Sequence, residues 1–180
     1  VCCEQDAGRY RVLPASGGST GGGRTERRLL VTAEELKEQG AIYFEKITEG
    51  FRSYADVKLV MDEKRAYDHF KSLKKEYGAD HSFADFYYFR LDEESREMVD
   101  ELLTADEMDY LQIIRPFPEA TEEEIIFPRD DRLLQIIVRL NAREMLFSTI
   151  YFVQPDPEGR RRTSWWGNYG HEYICFRDRK

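Results

Sequence analysis

The chain holds 180 residues, 41% hydrophobic and 34% charged, with a net charge of −8, which suits one globular domain with a real core. No stretch approaches the roughly 18 consecutive apolar residues of a membrane span, and no basic-then-apolar leader opens the sequence. Charge is uneven: residues 1–30 carry five arginines against three acids, residues 31–130 carry 13 basic against 26 acidic side chains, and residues 131–180 carry nine against six.

The acidic middle speaks against a whole-molecule nucleic-acid or anionic-membrane binder, whose field would be positive. The basic end leaves room for a local anion site. Three cysteines, Cys2, Cys3 and Cys175, do not make the even, spaced set of a disulfide framework and point to a reducing, cytoplasmic setting. The chain opens on Val1 rather than methionine and reads as a fragment, a processed form or an incomplete gene product, so a removed leader stays open.

Residues 1–28 read as a disordered tail, because the run Ser16–Gly23 is Gly/Ser-rich and cannot bury enough apolar area to offset its ordering entropy. Residues 29–180 then form a single domain. Thr32 and Glu35 make a capping box for a helix over 33–49, whose stripe is Leu36, Gly40, Tyr43, Phe44, Ile47 and Phe51, with Gly40 as its weak point. Alternation from Asp56 to Met61 predicts a short strand. Asp62 caps a second helix over 63–77, and Gly78 stands where a left-handed C-terminal residue belongs. Phe83 to Leu91 reads as a strand buried on both faces, and Asp92 caps a third helix over 93–103.

Thr104 and Glu107 form another capping box, yet Tyr110-Leu111-Gln112-Ile113-Ile114 favours strand, and strand is the expectation for 109–114. The prolines of Arg115-Pro116-Phe117-Pro118 forbid helix there. A helical turn follows at 121–126, ended by Pro128. Leu133–Leu140, Met145–Val153, Arg162–Trp166 and His171–Arg177 are rich in β-branched and aromatic residues and read as a four-strand meander. The fold class is therefore α+β: a mainly antiparallel sheet ending in that meander, with about three helices packed against it.

The candidate site lies on the last hairpin. Asp156-Pro157-Glu158-Gly159 has the residue order of a type I turn, and a magnesium-nuclease reading of Asp156 lacks the second acid and lysine on the next strand. Strand alternation sets Arg160, Arg162, Ser164 and Trp166 on one face and Arg161, Thr163 and Trp165 on the other, so one tryptophan faces the core and its neighbour is free to meet a partner. Gly167-Asn168-Tyr169-Gly170 reads as the hairpin loop. Arg160, Arg162, Trp165, Trp166, Tyr169 and His171 are the candidate binding residues, since Trp, Tyr and Arg dominate interface energetics.

This favours a non-catalytic binding or interaction module whose partner is a protein or a small anionic ligand. The alternative is a small enzyme acting on an anionic ligand, with His171 as acid or base and Arg160 or Arg162 as the anion clamp. His171 and its neighbour Glu172 point to opposite faces and cannot pair with each other. A single-stranded nucleic-acid surface is the weakest option, given the acidic middle. His69, His81 and His171 lack ligand-like spacing, so no metal is expected. No phosphate loop, dinucleotide fingerprint or nucleophile elbow is present, and no cofactor is expected.

Overall fold

The computed structural model of the chain describes residues 30–116, 125–154 and 161–179. Among these, seven strands form one sheet: β1 (Val31–Thr32), β2 (Ala55–Val60), β3 (Ser82–Asp85), β4 (Ile125–Pro128), β5 (Thr149–Gln154), β6 (Arg161–Gly167) and β7 (Glu172–Arg177). Six helices accompany them: α1 (Ala33–Glu38), α2 (Ile47–Ser53), α3 (Glu63–Tyr77), α4 (Glu93–Asp100), α5 (Ala105–Ile114) and α6 (Asp131–Ala142). The spatial order is β1-β4-β3-β5-β6-β7-β2, and every neighbouring pair is antiparallel. The α+β class holds. The tail over 1–28, the 156–159 turn and the segment after Pro116 lie outside the described residues.

Several elements follow directly from their end signals. α3 begins where the Asp62 carboxylate accepts the Arg65 backbone N–H at 2.8 Å. It stops at Gly78, whose φ of +96° is a left-handed conformation open mainly to glycine. α4 starts on Asp92 in the same way. The closing hairpin β6–β7 turns through residues 168–171, with the Asn168 N–H donating to Glu172 O at 2.9 Å.

Five expectations need correction. Leu133–Leu140, expected as the first strand of a four-strand meander, is the middle of α6, so the meander has three strands, β5-β6-β7. Leu133, Leu134, Ile136, Ile137, Val138 and Leu140 are all 0% exposed. The helix's polar stripe, the exposed Arg132 and Gln135 with the half-buried Arg139, is narrow, and the β-branched residues between them outweigh it, so strand propensity misleads. Its true signal is the Asp130 carboxylate, which accepts the Leu133 N–H at 2.7 Å. Residues 109–114, expected as strand, belong to α5, because the Thr104–Glu107 capping box forms as read. Its Glu107 also receives Arg139 Nη1 at 2.6 Å, which anchors the helix start to α6.

The single helix expected over 33–49 is two short helices. Gly40, at φ +92°, ends the first, and a crossing segment over 39–46 leads to α2. The strand expected over Phe83–Leu91 is only β3. Phe86 to Phe89 turn into a short 3₁₀ segment over Tyr87–Arg90, where the rings of Phe86, Tyr88, Phe89 and Phe127 pack against one another. Ile125 and Ile126, expected at the end of a helical turn, are in β4, which pairs with both β1 and β3.

Strand alternation then assigns the two sheet faces. Ala84, Ile150, Phe152, Trp165, Tyr173 and Cys175 join the large cluster made with α3, α5 and α6. Each fully buried aliphatic or aromatic side chain there stabilises the fold by about 1.5–3 kcal/mol. The opposite face, with Phe83, Tyr151, Val153, Ile174 and Phe176, is covered, among the described residues, by α1, the crossing segment and α2.

Candidate functional site

The alternation read along β6 is what the structure shows. Arg162, Ser164 and Trp166 point to the lightly covered face, and Arg161, Thr163 and Trp165 to the helical one. Arg160 lies outside the described residues. Arg162 is a strut: its guanidinium meets Asp178 at 2.8 and 2.7 Å and donates to Gly40 O at 2.9 Å. That grip on Asp178 and on a backbone carbonyl occupies the fork that was to clamp an anion. The buried Ser164 hydroxyl donates to Ile42 O in a short hydrogen bond. Together these two side chains tie the crossing segment to the sheet.

Trp165 is 6% exposed and packs edge-on against His69, 4.7 Å away, and Phe70, 5.5 Å away; it is a core residue. Burial holds the half-buried His69 below its ordinary pKa. Cys175 opposite is also buried, which pushes its thiol up to about 12. Tyr169 is 67% exposed with its ring on Phe147 at 4.7 Å. His171 sits at the loop exit with φ +59°; its carbonyl accepts the Met61 N–H at 2.9 Å while its imidazole is exposed. The five candidate residues that are described therefore do not converge, and of them Trp166 borders the cavity beneath the crossing segment.

That cavity, about 350 Å³, is in the size range of small-ligand sites, about 300–1,000 Å³. Its floor spans three adjacent strands: Asp85 from β3, Thr149 and Tyr151 from β5, and Trp166 from β6. Sheet register explains the grouping, since Trp166 pairs with Thr149 and the Phe83–Tyr151 pair places Asp85 opposite Thr149. Tyr43, Phe44 and Glu45 of the crossing segment form the roof, and Tyr87, Phe147 and Ser148 close the side.

The polar groups here are held in place. The Thr149 backbone N–H donates to Asp85 Oδ1 at 2.6 Å, and the Tyr151 hydroxyl donates to Oδ2 at 3.3 Å, with Asp85 itself 5% exposed. Burial, then the neighbouring Asp85 charge, pushes the Tyr151 phenol well above its ordinary pKa. It stays a neutral donor. The Phe44 and Trp166 rings lie parallel, 5.5 Å apart at 5°, and Tyr43 stacks on Tyr151 at 6.0 Å. The Ser148 hydroxyl is buried and, among the described residues, has no hydrogen-bond partner, a state that costs about 1–3 kcal/mol.

A second, more open hollow of about 570 Å³ lies between α5 and α6. Its half-buried charges answer one another, with Arg139 held by Glu107 at 2.6 Å and Glu63 at 3.5 Å. His171 borders neither hollow. Among the described residues no group of three or more His, Cys, Asp or Glu side chains is placed to hold a metal ion, and no helix is long and apolar enough to cross a membrane.

Sequence reasoning missed Asp85, Ser148 and the 43–45 roof. The residues come from four separate segments, and the one available signal was an acid closing an otherwise apolar strand. Comparison with protein-family models, curated proteins and solved structures found no match.

Proposed function

We propose that this protein is a non-catalytic binding module whose contact site is the cavity between the crossing segment and strands β3, β5 and β6. The hairpin thus contributes Trp166 to the site, rather than its loop or its arginines. The observation that carries this reading is the buried Ser148 hydroxyl, without a partner among the described residues, beside a fixed carboxylate in an aromatic-walled cavity. Pockets that hold small ligands have this make-up: mostly apolar walls with a few converging polar groups. Ligand binding would supply the partner the hydroxyl lacks.

The enzyme alternative needs His171 partly desolvated in a cleft beside an available arginine. Its imidazole is exposed, and Arg162 is engaged by Asp178 and Gly40, so the geometry supports binding better than acid–base chemistry on an anion.

A ligand screen read by two-dimensional NMR tests the proposal, because the Trp165 and Trp166 indole N–H signals are separately assignable. Binders should shift the Trp166 indole and the Ser148 and Thr149 amides. Shifts confined to Tyr169 and His171, or no binder at all, would overturn it.

A further inference from the structure

We infer that β2 is an interface between two copies of this chain, which pair edge to edge about a two-fold axis at Val57; this surface is separate from the cavity. The sheet ends in two unlike strands. β1 is two residues long, with Val31 4% exposed. β2 runs from Ala55 to Val60, and Asp56 through Val60 are all exposed, Val60 at 64%. Among the described residues β2 pairs with β7 alone.

The register with β7 fixes which backbone groups face outward. The Met61 N–H donates to His171 O at 2.9 Å, and the same register sets Leu59 against Tyr173 and Val57 against Cys175. Hydrogen-bonded pairs alternate along an antiparallel ladder. Val57, Leu59 and Met61 therefore turn their backbone groups to β7, and Asp56, Lys58 and Val60 turn theirs away from it. Such a row of outward N–H and C=O groups is a template for another strand.

The charges decide the occupant. Two antiparallel registers join outward groups to outward groups over most of the strand, residues 56–60 about an axis at Lys58 or residues 55–59 about an axis at Val57. The first sets Lys58 against its own copy, and like charges directly opposite destabilise a strand pair. The second sets Asp56 of each copy against Lys58 of the other, so the favourable pair forms twice. Val57 then meets its own copy and Leu59 meets Ala55, which covers side chains that are 38% and 36% exposed. Lys58 already lies 3.4 Å from Glu172 of its own chain, and in the pair it would sit between two carboxylates. A foreign strand would have to bring the same order of charges; β2 supplies it to itself.

Sedimentation velocity of the full chain over a concentration series tests this. A two-strand seam buries little surface, under about 1,200 Å², so the expected result is a monomer–dimer equilibrium that shifts with concentration. Asp56→Lys and Lys58→Asp, made singly, each set like charges opposite one another twice and should weaken the dimer roughly tenfold. The double variant restores opposite charges and should return the dimer to near its original strength.

Disulfide trapping reads the axis itself. With Cys2→Ser and Cys3→Ser in place, and Cys175 buried, Val57→Cys should cross-link two copies under mild oxidation, because opposed side chains of a non-hydrogen-bonded pair approach most closely. Val60→Cys, far from its own copy in this register, should not. A chain that stays monomeric at every concentration would overturn the proposal. So would a dimer indifferent to the single charge reversals, or a Val60→Cys chain that cross-links as readily as Val57→Cys.

Discussion

The two faces of this sheet are built from alternate residues of the same strands, yet they are closed in different ways. On β5, Ile150 and Phe152 lie under α3 and α6, in a cluster dominated by aliphatic and aromatic groups. Their neighbours Thr149 and Tyr151 face the short cover of residues 33–54 and share that side with Asp85 and Ser164. Helices α3, α5 and α6 close the first face. The second cover is a crossing segment pinned at a few points by Arg162 and Ser164. It leaves a gap, and the polar residues cluster around the gap. The larger apolar core lies on one side and the polar-edged cavity on the other.

Substitutions should divide along the same line. The largest effect is expected from Phe152→Ala on the helical face. Phe152 is 0% exposed and lies beneath Tyr77 and the buried Arg129, so truncation should cost about 3–5 kcal/mol by chemical denaturation. Arg129 makes the site unforgiving. It is 2% exposed, donates to Phe70 O at 3.0 Å, and burial lowers its pKa to about 10. A loss below about 1 kcal/mol would show that this face is loosely packed.

On the lighter face, Gly50→Ala should cost about 1–3 kcal/mol by overpacking, because a Cβ there would lie 2.5 Å from Phe44 Cζ and 2.9 Å from Phe176 Cε1. It should also push the Phe44 ring and change the cavity roof, visible as a shift of the Trp166 indole signal. Ser164→Ala removes the hydroxyl that bonds Ile42 O and should cost about 1–2 kcal/mol. An unchanged midpoint would mean that the Ser164 hydrogen bond adds nothing to the hold of Arg162 and packing on the crossing segment.

A pH titration sharpens the comparison further. His69 has its pKa held below 6.5 by burial against Phe70 and Trp165, so the unfolded chain binds the proton more readily than the folded one. Its contribution is complete above about pH 6.5 and is lost as pH falls from there through the lower folded value. His69→Phe should flatten that part of the stability profile. A slope unchanged by the substitution would assign it to other groups. The smallest effect is expected at the hairpin loop: His171→Gly relieves a left-handed backbone at φ +59° and should stabilise by up to about 1 kcal/mol, with binding unaffected.

The sequence was most legible where a local signal and the tertiary environment agree. Asp62, Gly78 and Asp92 mark helix ends through hydrogen bonds and backbone angles within a few residues, and those ends are where they were read. Alternation on β6 correctly separated Trp165 from Trp166. Reading failed where packing overrides propensity. α6 exposes only a narrow stripe, Arg132 and Gln135 with the half-buried Arg139, which its β-branched residues outweigh, although that stripe and the Asp130 cap both mark the helix. The site failed for a different reason. Asp85, Ser148 and Glu45 come together through sheet register and a chain crossing, neither of which leaves a spacing in the sequence. Trp166 was found, but its aromatic partner Phe44 is 122 residues away in the chain.

Amide hydrogen exchange compares the two covers most directly. The hydrogen-bonded amides of Gln39, Ala41 and Tyr54 belong to the lighter cover, and those of α6 to the heavier one. The account predicts that Gln39, Ala41 and Tyr54 exchange through local opening, well below the free energy of global unfolding, while the amides of residues 135–140 exchange only when the whole chain unfolds. Equal protection of both sets would contradict it, because the two faces would then be one evenly closed core.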